Sequence, residues 1–457
     1  MDAATPPSPR RTRGISARLI SPRLISLGLI AALIVLAAAA ALAPWAMPGN
    51  DAAARRIAAG GIFAASYLAL AIGRVPGLAI DRAGIALVGA SLMVASGAMP
   101  LADAYRAIDL NTLTLLLGMM IVVANLRLSG VFALATAWVA RHARRPILLL
   151  AAVVAVAGLA SAFLVNDAIC LVLAPLVVDL TLALRRNPVP YLLAVAMASN
   201  IGSVTTITGN PQNMLIGGFS GIPYATFAAA LTPVALVGLV VAGGLIALFY
   251  RAEFAARAPL PPRWMHIRAN RVLVVRSLVA TVAVIALFFA GQPPAKAAIV
   301  VGALLLLTRR VKSGRIYAEI DWSLLLMFAG LFVIVAGAEH RLLTPGMVAA
   351  AGRLHLGHVA VLSALTAVLS NLVSNVPAVL VLRPFVAHLA DPARAWLVVA
   401  MASTLAGNFT LLGSIANLIV AEKAARRGVV IRFRAYFLVG APVTVATLVI
   451  GALWLAR

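Results

Sequence analysis

The chain has 457 residues, of which 63% are hydrophobic and 11% charged, and its formal net charge is +24. Soluble globular domains carry about 25% charged residues, so this composition excludes a water-soluble fold and requires most of the surface to face lipid. The basic residues lie in short gaps between apolar runs, which argues for membrane topology and against a nucleic-acid partner, and the single cysteine, Cys170, excludes a disulfide framework and a cysteine metal site.

In chain order, residues 1–23 read as a basic cytoplasmic tail with five arginines between Arg10 and Arg23. Residues 24–45 follow as an extra N-terminal membrane helix. Its apolar stretch, Leu24 to Trp45, exceeds the ~7–15 residues of a signal-peptide core, so an uncleaved span is expected. Residues 60–250 form a first repeat, residues 251–271 a basic cytoplasmic linker, and residues 272–457 a second repeat. In the first, Gly60–Ile72, Gly84–Met99, Leu110–Val123 and Ile222–Tyr250 read as spans or buried membrane helices. In the second, the corresponding runs are Val272–Ala290, Ala295–Leu307, Trp322–Gly337 and Phe433–Leu455. Between them lie Pro146–Leu184 and Gly357–Ala390, each apolar at both ends with a polar tip, which predicts helical hairpins. Each is followed by a segment broken at Gly and polar residues, Pro190–Gly218 and Ala393–Ala424, which predicts a discontinuous helix.

With the N-terminus in the cytoplasm, 26 Lys and Arg fall inside and eight outside, as the positive-inside rule requires. Arg127, Arg276 and Arg383 remain near or within spans, where snorkelling explains them; Arg383 is also a candidate for an anion path. Each half then makes five crossings plus a hairpin that returns to its own side, so the halves are inverted. The match of "IDLNTLTLLLGMMIV" from Ile108 with "IDWSLLLMFAGLFVI" from Ile320 supports duplication independently. The expected fold is an all-α polytopic membrane protein of two inverted repeats, each with a re-entrant helical hairpin and a discontinuous helix, multi-pass in the inner (plasma) membrane. Inverted repeats with broken helices meeting at the midplane are the architecture of secondary transporters.

The polar pattern is written twice. "SAFLVNDAICLVLAP" from Ser161 and "MASNIGSVTTITGNPQN" from Met197 recur as "SNLVSNVPAVLVLRP" from Ser370 and "MASTLAGNFTLLGSIAN" from Met401. Polar groups at membrane depth are costly, so their recurrence points to one shared site. Substrate-binding candidates are Asn166, Asn200, Thr206, Asn210, Ser374, Asn375, Thr404 and Thr410; ion-coupling candidates are Ser161, Asp167, Gly209, Ser370 and Gly413. Helix N-termini at the tips would bind an anion and released carbonyls a cation. For Asn166, Asn375, Ser161, Ser370 and Ser374, capping of the tip helices is the alternative. Asp167, whose repeat partner is Val376, is not a symmetric structural device and is the best candidate for coupling to sodium or a proton; a cap or helix-dipole role is its alternative. Asp109 and Asp321 open equivalent helices and are expected N-caps, Asp179 an exposed residue. "GNPQN" (Gly209–Asn213) unwinds its helix through Gly and Pro, whereas its counterpart, with Gly413, Ser414, Ile415 and Asn417, has no Pro. Among the six histidines, only His355 and His358 are spaced to share a metal, and no third ligand is apparent.

At these residues the chain resembles the ion transporter superfamily of divalent anion/sodium symporters, citrate transporters, arsenite-pump membrane proteins and sodium/proton antiporters of the same fold. "NDAICLVLAP" and "ASNIGSVTTITGNPQNMLIG" look like its first-hairpin and broken-helix motifs. The resemblance implies that Asn166 and Asn375 help form substrate and cation sites. It also implies a homodimer in which a hairpin-bearing transport domain moves against a scaffold, with a small anionic substrate, a coupling cation and membrane lipid as partners. The dicarboxylate symporters carry Ser-Asn-Thr at both tips, whereas this chain has Val165-Asn166-Asp167 and Ser374-Asn375-Val376. The expected function is ion-coupled secondary transport of a small anion, carboxylate or inorganic oxyanion, without a cofactor. Arsenite efflux and sodium/proton exchange are the alternatives within the fold, and a channel or a membrane-embedded enzyme the alternatives outside it. No "GxxxxGK[ST]" pattern is present to support direct ATP use.

Overall fold

The computed structural model describes residue 42 and residues 51–72, 79–255, 269–344 and 354–457. The basic tail, nearly all of the N-terminal apolar stretch and most of the 251–271 linker lie outside them. Among the described residues the chain is helical, without strands. Eight helices among these residues are long and apolar enough to cross a membrane, and the protein is an integral membrane protein.

The first half comprises α1 (Asp51–Ile72), α2 (Arg82–Ala95), α3 (Leu101–Ala107), α4 (Leu110–Ser129), α5 (Val131–His142), α6 (Pro146–Phe163), α7 (Asn166–Ala183), α8 (Pro188–Ser203), a 3-10 turn (Ile207–Gly209), α9 (Pro211–Ser220), α10 (Tyr224–Phe249) and α11 (Arg251–Phe254). The second comprises α12 (Arg271–Phe289), α13 (Pro294–Leu306), α14 (Ser313–Tyr317), α15 (Trp322–Leu342), α16 (Val359–Val373), α17 (Asn375–Val386), α18 (Pro392–Ala406), α19 (Ile415–Ala425) and α20 (Phe433–Leu455). The same order recurs: two helices, a short helix, a long helix, a hairpin, a broken helix and a long final helix. Helix α1 begins at Asp51, ahead of the apolar run at Gly60, because an alanine-rich turn with Asp51 paired to Arg55 extends it. The amphipathic α3 and the half-exposed α5 lack a long apolar run, which is why the hydropathy pattern did not mark them.

The halves interlock. Helix α4 packs on α12 and α13 of the second half, while α15 packs on α1 and α2 of the first. Both crossings are made at glycine. A Cβ on Gly118 would lie 2.5 Å from the backbone of Ala298, and one on Gly330 2.7 Å from the backbone of Ala86. Gly118 and Gly330 are equivalent positions in the "IDLN" and "IDWS" segments, and Ala86 stands to Ala298 as they stand to each other. One close contact is therefore made twice, each half supplying the glycine once. Asp109 and Asp321 accept from the amides of Asn111 and Leu324, 3.0 Å in each case, as N-caps of α4 and α15. A second group, α6–α10 with α16–α20, carries the hairpins and broken helices.

Substituting Gly118→Ala or Gly330→Ala should lower stability by about 1–3 kcal/mol, because the obstructing atoms are backbone and cannot rotate away. Gly244, whose Cβ would meet open space, is the control. Thermal unfolding in detergent checks this, and equal melting of the three variants would remove the glycine contacts as the reason for the close crossing.

Candidate functional site

Helix α8 stops at Ser203 and its continuation α9 starts at Pro211, which has no amide hydrogen to donate. The break frees carbonyls that a membrane interior cannot hydrate. Asn213 answers them: its Nδ2 donates to the carbonyls of Ser203 (3.1 Å) and Thr206 (3.0 Å). In the second half Asn417 Nδ2 donates to the carbonyls of Gly407 (2.7 Å) and Thr410 (3.1 Å), at the equivalent positions. The second helix therefore breaks as fully as the first without a proline, between α18 and α19. Asn210 Oδ1 caps the amide of Asn213 (2.9 Å), and Ser414 Oγ caps that of Ala416 (3.2 Å). Gly209 and Gly413 let each loop fold back: a Cβ would lie 2.2 Å from the carbonyl oxygen of Ser203 at the first, and 2.9 Å from that of Gly407 at the second.

The breaks bind each other reciprocally. Asn210 Nδ2 of the first donates to Thr404 Oγ1 on α18 (3.1 Å), and Ser414 Oγ of the second donates to Asn200 Oδ1 on α8 (3.2 Å). Asn200 and Thr404 are equivalent, as are Asn210 and Ser414. Asn200 is the hub of the set. Its Oδ1 also accepts from Asn166 Nδ2 of the first hairpin tip (3.0 Å), and its Nδ2 donates to Asn408 Oδ1 (2.9 Å) and Asn417 Oδ1 (3.1 Å). Gln212 Nε2 reaches Thr404 Oγ1 (3.1 Å). Every member of this set is buried and none is charged.

The hairpins dock on the broken helices through serine. Ser161 Oγ donates to Ser199 Oγ (3.0 Å), which donates to the carbonyl of Asn166 (3.2 Å). Ser370 Oγ lies 3.0 Å from the carbonyl of Ser403 and 2.6 Å from Asn375 Oδ1. These bonds correct the capping expectation. The residues preceding α7 and α17 are Val165 and Ser374, neither of which makes a side-chain cap; Ser161, Ser370 and Asn375 spend their side-chain oxygens elsewhere, and Asn166 gives its Nδ2 to Asn200. Both tip helices thus start with amides that no N-cap side chain covers. Ser374 also has φ +79° and ψ 158°, a region that only glycine visits without strain, and strain of this kind is held at sites the surrounding structure over-determines. Asn166 Oδ1 and Asn371 Oδ1, beside the two tips, are buried without a partner.

Asn166, Asn200, Asn210 and Thr404 thus come together in one hydrogen-bonded set, with Ser161 attached through Ser199. Ser370 and Asn375 form a separate pair at the second tip; Ser374 and Asn375 there, and Thr410 in the loop between α18 and α19, are half-buried. Thr206 turns its hydroxyl to the carbonyl of Ala162 and to Thr208. Asp167 stands apart. It lines a cavity of about 110 Å³ between α4, α7, α15 and α19, with Arg127 and Glu319, which are paired, and Asp321 among its neighbours. Its other walls, including Val165, Leu171, Leu324 and Ile419, are apolar. Arg383 lies over the ring of Phe219 at 4.5 Å, and Asp179 pairs with Arg427 at 2.7 Å. The rings of His355 and His358 are 6.3 Å apart, and no group of three His, Cys, Asp or Glu stands together among the described residues.

Sequence reasoning passed over Ser199, Gln212, Asn371 and Asn408. Ser199 and Ser403 occupy matching places in "MASN" and "MAST" and were legible there; Asn408 faces Val204 in the repeat, so no symmetry marked it. The stapling asparagines give a sharp test. Asn213→Asp and Asn417→Asp keep shape but lose the amide hydrogens, so each should lower stability by about 2–4 kcal/mol through two abandoned carbonyls and a buried carboxylate. Recovery of folded, monodisperse protein at the parental level would show that the breaks do not need the staples.

The sequence pattern of the citrate transporter family matches residues 67–406. The chain is 29% identical over 423 residues to the 46 kDa membrane protein of Mycobacterium leprae, covering 86% of this chain and 96% of that one. It is 31% identical over 453 residues to the silicon efflux transporter LSI3 of Oryza sativa subsp. japonica, covering 82% and 93%. The crystal structure of the Alcanivorax borkumensis YdaH transporter, whose topology is described as unusual, superposes with a TM-score of 0.55 at 14% identity, covering 94% of this chain and 97% of that one, a likeness of fold. With three-quarters of its length matched by one family pattern, this chain belongs to the citrate transporter family, a family of membrane transporters.

Proposed function

We propose that the chain is an ion-coupled secondary transporter that moves a small anion, a carboxylate or inorganic oxyanion, across the inner membrane, with the substrate held between the two hairpin tips and the broken helices. The observation that carries this reading is the pair of tip helices, α7 and α17, whose first amides no N-cap side chain covers. Aligned amides at a helix start carry about half a positive charge and bind anions without a cationic side chain. Asn166, Asn200, Thr206, Asn210, Ser374, Asn375, Thr404 and Thr410 supply neutral donors and acceptors around them. Ser161, Ser370, Gly209 and Gly413 shape the loops whose carbonyls and hydroxyls would hold a coupling cation.

In this reading residues 60–250 and 272–457 are inverted repeats, the hairpins are re-entrant, the N-terminus is cytoplasmic, and two copies form a homodimer. Asp167 couples transport to sodium or a proton through the cavity it lines, and no cofactor takes part. A second reading rests on the neutrality of the Asn200 set. A site without a charged side chain suits an uncharged, hydroxylated weak oxyacid, as in arsenite efflux, and one relative is a silicon efflux transporter. Sodium/proton exchange without an anion is a third reading, carried by Asp167 alone, and a channel the reading from a different class.

Uptake and efflux by the purified protein in liposomes, across a panel of carboxylates and inorganic oxyanions with sodium and proton gradients varied separately, distinguishes these. Saturable, gradient-driven anion flux with counterflow is the expected outcome. Cation exchange without any anion would replace the leading reading with the antiporter, and single-channel currents would replace the carrier. Asp167→Asn should change the pH or sodium dependence of flux while leaving expression unchanged; an unaltered dependence removes Asp167 from coupling. Asn375→Ala should weaken substrate binding by roughly five- to tenfold, the loss of one well-placed hydrogen bond. Unchanged concentration dependence would take the second tip out of the site.

A further inference from the structure

Away from the broken helices, a groove of about 740 Å³ lies between α12 and α13 on the surface of the protein. Its length is walled by Val272, Val275, Val279 and Ala283 of α12 and by Val301 and Leu304 of α13. The helix rises about 18 Å from Arg271 to Ala283, slightly more than the ~15 Å depth of one leaflet's hydrocarbon. Val275 and Val279 are 60% and 62% exposed, so the groove is open along its side rather than sealed as a core cavity.

Its two ends differ. One end carries Arg271 and Arg276, and the residues that line the groove include no acid. Arg276 Nη2 donates to the carbonyl of Leu304 at 2.5 Å, which turns the guanidinium toward the last turn of α13 and fixes it at the mouth while its other donors stay available. The exposed Arg309 and Arg310 follow that turn. A long apolar slot with fixed positive charge at one end complements a molecule with an apolar tail and an anionic head.

A second copy of the chain does not meet that requirement. Two copies inserted in the same sense are related by an axis along the membrane normal, so a two-fold contact through this groove would set Arg271 and Arg276 against the same arginines of the other copy. We propose that the groove holds an acyl chain of an anionic phospholipid whose phosphate is bound by Arg271 and Arg276. Arginine suits the role because its planar donors grip phosphate oxygens in pairs while its stem lies along the apolar wall. The proposal does not depend on which solute is transported.

The test uses the full chain in lipid nanodiscs of phosphatidylcholine alone or of phosphatidylcholine with phosphatidylglycerol. Lipid retained after detergent extraction is read by native mass spectrometry, with thermal unfolding in parallel. The wild type should retain phosphatidylglycerol in preference and melt higher in its presence. Arg271→Gln, which removes no hydrogen bond of the fold described above, should reduce that preference about fivefold, and adding Arg276→Gln should reduce it by about the same factor again. Ala283→Phe, which fills the slot and leaves both arginines, should lower retention of either lipid there. Equal retention of the two lipids by the wild type, or unchanged preference in Arg271→Gln, overturns the proposal. So does efficient disulfide cross-linking of Val279→Cys between copies in a Cys170→Ala background, since it would put a second copy in the groove.

Discussion

The fold depends on one constraint, that backbone groups released where a helix breaks inside a membrane must find partners within the protein. Water would serve the same groups at no cost at a surface; in hydrocarbon each orphan costs several kcal/mol. Asn213 and Asn417 meet the constraint with one side chain apiece, each spanning two freed carbonyls across its own break. An asparagine is suited to this because its amide offers two donors on a short stem, where serine offers one and lysine would bring a charge. The loops between α8 and α9 and between α18 and α19 are consequently fixed in shape, and the side chains that they carry have defined directions.

Fixed loops allow the two halves to complete one another. Asn210 reaches Thr404, and Ser414 reaches Asn200, so each break supplies what the facing helix lacks. The same reciprocity recurs far from the polar region, where Gly118 admits Ala298 and Gly330 admits Ala86. Neither half is closed alone: α4 finds its packing partners in the second half and α15 finds them in the first. Two kinds of contact, one polar and buried among side chains, the other a bare approach of backbones, therefore report the same duplicated geometry.

Much of this was legible in the sequence because a pattern written twice leaves a record in residue type as well as in hydropathy. The hairpins at Pro146 and Gly357 and the first broken helix could be read from polar residues interrupting apolar runs, and the N-cap roles of Asp109 and Asp321 from their equivalent places ahead of long helices. The second break was harder to read, since it lacks the proline that marks Pro211; its signal was Asn417, which has meaning only once Asn213 is seen to hold carbonyls. Capping by Asn166, Ser161, Ser370 and Ser374 was a reasonable inference from residue type. For Ser161 and Ser370 the hydroxyls are taken up by Ser199, Ser403 and Asn375, and Asn166 is drawn to Asn200 through its Nδ2, contacts across helix crossings that a sequence does not show. Asn408 was invisible for a related reason: its counterpart is Val204, so it joins the Asn200 set from one side only.

Charge departs from the symmetry that the packing obeys. Asp167 faces a cavity with Arg127, whereas their counterparts in the second half are Val376 and Glu339, and Arg383 occupies the place of Ala174. In the inverted-repeat reading proposed above, a frame whose halves make the same contacts gives no preference between two arrangements that exchange the roles of the halves, because the packing terms are equal. Side chains of different charge at equivalent positions remove that equality, since each arrangement exposes a different set to water and to ions. The glycine crossings and the asparagine staples are then the parts that stay alike in the two halves. In the ion-coupled transport proposed above, Asp167, Arg127, Glu339 and Arg383 would be the parts through which a gradient of charge distinguishes one side from the other.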